Sequence, residues 1–308
     1  MSDASGPRTY DLDALRGRLL PARDGERSTS IPELADADRD LCAIALALPD
    51  GSVRSSVDGE VPFSIQSAVK PFLFALALAD TDGAALDRVG IEPTGEAFDA
   101  IKLESGTGRP PNPMVNAGAI LTCALVDGDD PDERASRIVA GLSGFAGRRL
   151  EVDDDVAHSE HLLGDRNHAL AHLMRDEGTL AVSADDAVSV YARACAVLID
   201  AQTLAVMGAT LALGGVNPVT GERVVSSRTA RDVVAVMATC GVYDGSGRWM
   251  RAVGVPAKSS VSGAIVLSAP GTLGAAIVSP PLDEHGTSVR GRMGAEALSA
   301  DLGLHLFG

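Results

Sequence analysis

Residues 63–79 read FSIQSAVKPFLFALALA, and the fold turns on how that stretch is read. From Ser64 to about Ala79 the residues are apolar nearly all round a helical repeat, which predicts a helix buried on every side. Ser64 or Ser67 is expected at its amino end. Pro71 fits such a helix only in the first turn, where no intrahelical N–H is lost. Ser67-Ala68-Val69-Lys70 forms an S-x-x-K, and one helical turn brings the serine hydroxyl beside the lysine amine. The N–H groups of a helix amino end can hold a developing oxyanion. Phe63, Ile65, Val69 and Phe72 surround the pair with apolar bulk, so the Lys70 amine is expected to give up its proton readily and activate Ser67. S-x-x-K is common by chance, and an N-cap serine beside a surface lysine accounts for the four residues equally well.

Working outward, the punctuation is that of strands at both chain ends. Leu41 to Leu48 is a compact apolar run, followed by the turn Pro49-Asp50-Gly51 and a second short run, Val53 to Val57, which reads as a hairpin. Residues 1–30 are a polar lead-in with one short helix, Leu12 to Leu19. From about 80 to 240 the spacing is helical in Arg134 to Leu142, Ala169 to Glu177, Ala184 to Ile199, Ala201 to Leu213 and Thr229 to Cys240. Gly263 to Ser268, the turn Ala269-Pro270-Gly271 and Leu273 to Ser279 predict a second hairpin, and Ser288 to Leu302 a final helix. The economical architecture is α/β (α+β): one antiparallel sheet assembled from both chain ends and flanked by helices, plus an inserted helical lobe. The expected unit is a single domain over 1–308, with 30–63 and 245–308 forming the sheet lobe and 64–244 the mainly helical lobe. A cleft between lobes is where a pocket belongs.

Composition narrows the function. The chain has 308 residues, 45% hydrophobic with few aromatics, so its core must be built from Ala, Val, Leu and Ile. A net charge of −16 repels phosphate backbones and anionic lipid, which argues against nucleic-acid and membrane-surface partners. Cys42, Cys123, Cys195 and Cys240 lie far apart with no CxxC pair, and read as reduced core residues of a cytoplasmic protein. The polar start MSDASGPRTYDLD is no secretory signal, and the apolar run Phe72 to Ala79 is too short to span a bilayer. Of 26 basic residues only three are Lys: Lys70, Lys102 and Lys258. Where Arg serves for charge, a surviving Lys points to a need Arg cannot meet, such as losing a proton.

Further constellations lie in the second half. Lys258-Ser259-Ser260 precedes the strand expected at Gly263, where an edge-strand lysine would face the Ser67 turn across the cleft, as the K-T-G element does in penicillin-recognising serine hydrolases. Asn112, Asn116, Glu160, Asn167 and Tyr191 are polar groups in largely apolar surroundings, which fix either a turn or a ligand. Residues 241–247 form a Gly-rich turn presenting Tyr243 without a phosphate-cradling pattern. His158-x-x-His161 and His168-x-x-x-His172 have metal-like spacing but no HExxH, and are read as solvated or cap histidines.

Taken together the segments resemble the serine-dependent glutaminases, a β-lactamase-related family. The matching stretches are FSIQSAVKPF (63–72), EPTGEAFDAIKLE (92–104), PNPMVNAGAI (111–120), SEHLLGDRNHALAHLMRDEG (159–178), LAVMGATLALGGVNPVTGE (204–222), TCGVYDGSG (239–247), GVPAKSSVSGAIV (254–266) and SPPLDEHGTSVRG (279–291). The resemblance implies a β-lactamase/transpeptidase-like fold and hydrolysis of L-glutamine through a serine-bound glutamyl ester. It puts Ser67 on the family nucleophile and Lys70 on its partner. Asn116, Glu160 and Asn167 fall on positions holding the substrate's amino-acid end, and Tyr191 and Tyr243 on the two active-site tyrosines. Val261 matches the residue whose N–H joins that of Ser67 in the oxyanion hole, and Lys258 the family's K-S-G lysine. The division of the base role between Lys70 and Tyr243 stays open. The resemblance further implies no cofactor or metal, and a homodimer or homotetramer. Three positions depart from the family: Pro71 for Val, Leu213 for Asn, and Ser260 for Gly, where side-chain bulk is expected to narrow the pocket. The rival readings are a β-lactamase-like hydrolase and a binding-only relative.

Overall fold

The computed structural model describes residues 6–95 and 100–308; residues 96–99, inside the 92–104 stretch, and 1–5 at the amino end lie outside the described residues. The lead-in carries α1 (Leu12–Leu19), capped by the Asp11 carboxylate, and a one-turn α2 (Pro32–Ala35). The first hairpin is β1 (Ala43–Ala47) and β2 (Val53–Ser55), followed by a two-residue β3 (Phe63–Ser64). A single 3-10 turn, Gln66–Val69, then leads into α3 (Lys70–Asp80) and the short α4 (Ala85–Arg88). The middle of the chain contains α5 (Asn116–Leu125), α6 (Pro131–Ala146), β4 (Glu151–Val152), α7 (Asp154–Leu162), α8 (Asp165–Asp176) and α9 (Ala184–Cys195). After β5 (Val197–Ile199) come α10 (Ala201–Ala212), α11 (Ser227–Cys240) and α12 (Ser246–Ala252). The chain closes with β6 (Ala257–Ser259), β7 (Ala264–Ala269), β8 (Leu273–Val278) and α13 (Val289–Leu302).

The main sheet has five antiparallel strands in the order β2-β1-β8-β7-β6, so both chain ends contribute and the amino-terminal β1 lies in the middle against β8. Its three inner strands are buried at every position because both faces are covered, and the one polar side chain among them, Ser268, donates to Gly208 O at 2.9 Å. On β1, Ala43, Ala45 and Ala47 face one core, while Ile44 and Leu46 face the other. The alanine face receives α10 at close range: a Cβ on Gly274 would collide with the α10 backbone at Ala205 and Ala209. The larger side chains on the other face pack against α1 and α13. Among the described residues no helix is long and apolar enough to cross a membrane.

Two expectations need correction. The helix predicted from Ser64 begins only at Lys70, because Phe63–Ser64 pair with Ile199–Leu198 and Gln66 takes a left-handed φ of 51° that does not belong in the interior of an α-helix. Pro71 therefore sits in the first turn, its only comfortable place. The helix predicted over Ala184 to Ile199 ends at Cys195. Val197, Leu198 and Ile199 instead form the middle strand of a small β3-β5-β4 sheet. That sheet fixes the approach to the S-x-x-K turn, since Ile65 N donates to Val197 O at 2.9 Å and pins the chain just before Ser67.

Candidate active site

Ser67 lies in the 3-10 turn between β3 and α3, on the floor of a cavity of about 280 Å³. The structure brings Asn116, Glu160, Asn167, Tyr191 and Val261 to the same cavity, five residues that the sequence ties to Ser67 only through resemblance. Four helices meet there: α5 opens with Asn116, α7 ends near Glu160, α8 begins near Asn167, and α9 carries Tyr191. Val261 sits in the tight turn Ser260–Gly263 between β6 and β7, closed by Gly263 N to Ser260 O at 3.0 Å.

Behind the Ser67 turn lie the two lysines singled out by the sequence, both wholly buried and neither lining the cavity itself. Lys70 Nζ donates to Asn116 Oδ1 at 2.6 Å, and Asn116 Nδ2 donates to Asn167 Oδ1 at 2.9 Å, a relay from the floor to the wall. Lys258, central on the edge strand β6, donates to the Tyr243 hydroxyl at 2.7 Å and sits 3.9 Å from that ring's centroid. Lys70 Nζ lies 5.6 Å from the same centroid, so one tyrosine ring stands between the two lysine side chains. Burial, and secondarily the Lys70 charge, drive the Lys258 pKa well below that of an ordinary lysine. Tyr243 itself borders an adjoining cavity that shares Val261 and Ser28 with the first.

Backbone strain marks two corners, one beside Ser67 and one at Tyr243. Among the described residues only Gln66, Asp82 and Tyr243 depart from negative φ without being glycine, and two of the three flank the site at 51° each. Tyr243 is held there by Ser246, whose hydroxyl donates to Tyr243 O at 2.9 Å. Gly241 just upstream must be glycine, because a Cβ would collide with Ala257 O on the edge strand.

On the walls, Glu160 is half-buried, and desolvation raises its pKa above the usual carboxylate value against a hydrogen bond from Gln66 and the attraction of Lys70. Tyr191 is buried and shares a hydrogen bond with Cys195; burial pushes its phenol well up. The Cys195 thiol, lining the cavity, is pushed up to about 12 by burial, which keeps it protonated and out of contention as a nucleophile. Ser260 does not narrow the cavity as expected: its hydroxyl turns away and donates to Ile65 O at 3.1 Å. Leu213 stands at the carboxyl end of α10, packed against the core and outside this cavity.

Sequence reasoning passed over Gln66, Cys195 and the lead-in residues Ser28, Ser30 and Ile31, which all line the cavity. Gln66 had a signal, its place beside Ser67. The lead-in had none within itself. It is drawn over the site by buried Arg290 of α13, which donates to Leu20 O, Ala22 O and Arg39 O. The histidines fall in a grouping that the spacing did not anticipate: His161 and His168 come together with Asp185, while His158 and His172 are exposed.

An antiparallel sheet built from both chain ends, with an S-x-x-K turn facing a lysine on its edge strand, defines a β-lactamase-like fold. The family described as Glutaminase matches residues 25–307, and the chain belongs to it. A glutaminase of Clavibacter michiganensis subsp. michiganensis is 71% identical over 298 residues, covering 97% of this chain and 92% of that one. One from Nostoc sp. is 45% identical over 297 residues, covering 96% and 89%. Among solved structures, Mglu in its glutamate form superposes with a TM-score of 0.92 at 47% identity, covering 96% of this chain and 68% of that one. A probable glutaminase of Bacillus subtilis gives 0.88 at 31% identity, covering 96% of each.

Proposed function

We propose that the cavity over Ser67 is where this glutaminase hydrolyses L-glutamine to L-glutamate and ammonia. The observation that carries the assignment is the meeting of Ser67 with Asn116, Glu160, Asn167 and Tyr191 around one amino-acid-sized space, with two buried lysines behind the Ser67 turn. The Ser67 Oγ attacks the side-chain amide carbon of glutamine while its proton passes to Lys70, or to Tyr243 acting with Lys258. The oxyanion is held by the backbone N–H groups of Ser67 and Val261, each donor worth roughly 2.7–4 kcal/mol in such sites. The C–N bond then breaks, the leaving nitrogen takes the proton and departs as ammonia, and a glutamyl ester remains on Ser67. Water, deprotonated by the same base, releases glutamate and returns the hydroxyl.

At the other end of the substrate, Glu160 pairs with the ammonium, and the amides of Asn116 and Asn167 face the carboxylate. The Lys70–Asn116–Asn167 relay supports this division, because it ties the group that moves the proton to the groups that fix the substrate. Four free, buried cysteines support a reducing, cytoplasmic setting. The homodimer or homotetramer and the lobe boundaries 30–63 with 245–308 and 64–244, within one domain over 1–308, complete the proposal. Ammonia and glutamate are measured from purified protein with Ser67→Ala alongside. Equimolar products that vanish in the variant are expected, and near-full turnover by Ser67→Ala would overturn the mechanism.

A further inference from the structure

Three helices that each carry a group of the proposed site also meet at a cluster that glutamine hydrolysis does not use. His161 follows Glu160 in the last turn of α7, His168 follows Asn167 in the first turn of α8, and Asp185 opens α9, which carries Tyr191. Only Leu163 and Gly164 separate α7 from α8, so the two histidines are turned toward each other round a tight corner. One donor atom from each of the three side chains lies within 4.8 Å of the others. His161 Nε2 is 3.3 Å from Asp185 Oδ1, and the two imidazole rings meet edge to face at 5.1 Å. His161 Nδ1 is buried without a hydrogen-bond partner, while His168 Nε2 lies 3.1 Å from His161 O.

We propose that His161, His168 and Asp185 bind a divalent transition-metal ion of the zinc type, and that its binding weakens the hold on glutamine. Two imidazoles and one carboxylate are a donor set that zinc accepts, with water in the fourth place, whereas calcium and magnesium call for more oxygen. Bonds of about 2.0–2.1 Å in a tetrahedron put donors roughly 3.3–3.4 Å apart, close to the His161–Asp185 separation already present. The Asp185 side chain is 75% exposed, so it can swing onto an ion and leaves a path for entry. Gathering the donors from within 4.8 Å onto one ion draws the end of α7 and the start of α8 toward α9. Glu160 and Asn167 move with them, and a misplacement of about 1 Å costs on the order of 10²-fold at a tuned site. The lysines stand on other elements and only Lys70 is joined to this rim, through Asn116 and Asn167, so the loss falls more in KM than in kcat. This second half rests on the proposed role of Glu160 and Asn167 in holding glutamine.

Zinc chloride is titrated into the full chain by calorimetry, cobalt(II) is followed by its visible spectrum, and glutamine kinetics are measured with zinc and with chelator. One zinc per chain, a tetrahedral cobalt spectrum and a KM raised by roughly tenfold or more are expected. Asp185→Asn and His168→Ala each weaken zinc by at least the roughly 10- to 100-fold that even an outer-sphere partner is worth, while His172→Ala does not. Asp185→Asn keeps its turnover in chelator, which controls for misfolding. No stoichiometric binding, or binding indifferent to both Asp185→Asn and His168→Ala, overturns the site; zinc bound with KM unchanged overturns the coupling. Calorimetry needs no turnover, so zinc bound at the cluster of a protein that hydrolyses no glutamine would sink the proposed reaction and leave the site standing.

Discussion

Lys70 and Lys258 have no exposed surface behind the Ser67 turn, whereas Glu160 is half-buried on a helix whose closing residues, Leu162 and Leu163, are 60% and 59% exposed. The floor is built from the first turn of α3 and the edge strand β6, both tied to the main cores, and from the strained Tyr243, which Lys258 holds to that strand. The rim is built from helix ends joined by a two-residue link. In the proposed mechanism the groups that change protonation are thus held where water cannot compete, and the one assigned to the substrate ammonium stands where solvent and substrate can exchange. Burial acts on both, with opposite signs: it lowers the Lys258 pKa and raises that of Glu160, each time favouring the neutral form.

The widest separation between floor and rim is expected from Lys70→Met. Loss of a positioned proton carrier lowers kcat by about 10²–10⁴-fold with KM little changed. Stability should move modestly. Asn116 Oδ1 loses its donor, which costs about 1–3 kcal/mol, while removal of a desolvated ammonium offsets that loss. Steady-state kinetics with a thermal melt check both. A Lys70→Met enzyme with near-normal kcat would transfer the base role to the Tyr243–Lys258 pair.

Glu160→Gln tests the other side. Losing one charged hydrogen-bonding partner is worth about 1.5–3 kcal/mol, so KM for glutamine rises roughly 10- to 100-fold while kcat falls less. The pH dependence has a definite sign. Glu160 must be ionised to hold an ammonium, and burial raises its pKa above the ordinary value of 4.5. The wild-type KM therefore climbs as pH falls through that raised value, at a higher pH than an ordinary carboxylate would give, and this limb is absent in Glu160→Gln. Equal losses in kcat and kcat/KM would break the division between floor and rim.

Legibility in the sequence divides along the same line. The floor announced itself chemically: S-x-x-K, a second lysine before a strand, and a chain that has only one lysine besides these two. The hairpins were legible because Pro49-Asp50-Gly51 and Ala269-Pro270-Gly271 set their turns locally. The start of α3 was not, since the helical pattern reads on from Ser64 across Gln66, Ser67 and Lys70 while the backbone is bent at Gln66, beside the pairing of β3 to β5. β3 and β4 are two residues long and have no periodicity to read. The rim was legible only through resemblance, because Asn116, Glu160 and Asn167 converge by helix packing. The histidines show the limit plainly: spacing pairs His158 with His161 and His168 with His172, but the turn between α7 and α8 pairs His161 with His168.

The smallest expected effect comes from the seam between the two regions. Ser260 starts the turn that carries Val261, and its hydroxyl binds Ile65 O in the segment leading to Ser67. That bond adds to the packing of β6 and β7 against the 3-10 turn, and together they set the two proposed oxyanion donors in one frame. Ser260→Gly removes that bond and the 2.9 Å contact between the Ser260 and Ser262 hydroxyls and adds freedom to the unfolded chain, which together cost about 1–3 kcal/mol of stability. The turn keeps Ser260 N to Ala264 O at 2.8 Å and Gly263 N to Ser260 O at 3.0 Å, both of which a glycine also makes. Ile65 also stays pinned to Val197. The donors should therefore hold their places, and kcat should fall less than the roughly 10²–10³-fold that follows loss of an oxyanion donor. Denaturant melts and kcat measured on the same preparation decide the matter. A fall of about 10²-fold or more would mean that the serine hydroxyl, and not the strand hydrogen bonds, sets the geometry of the oxyanion hole.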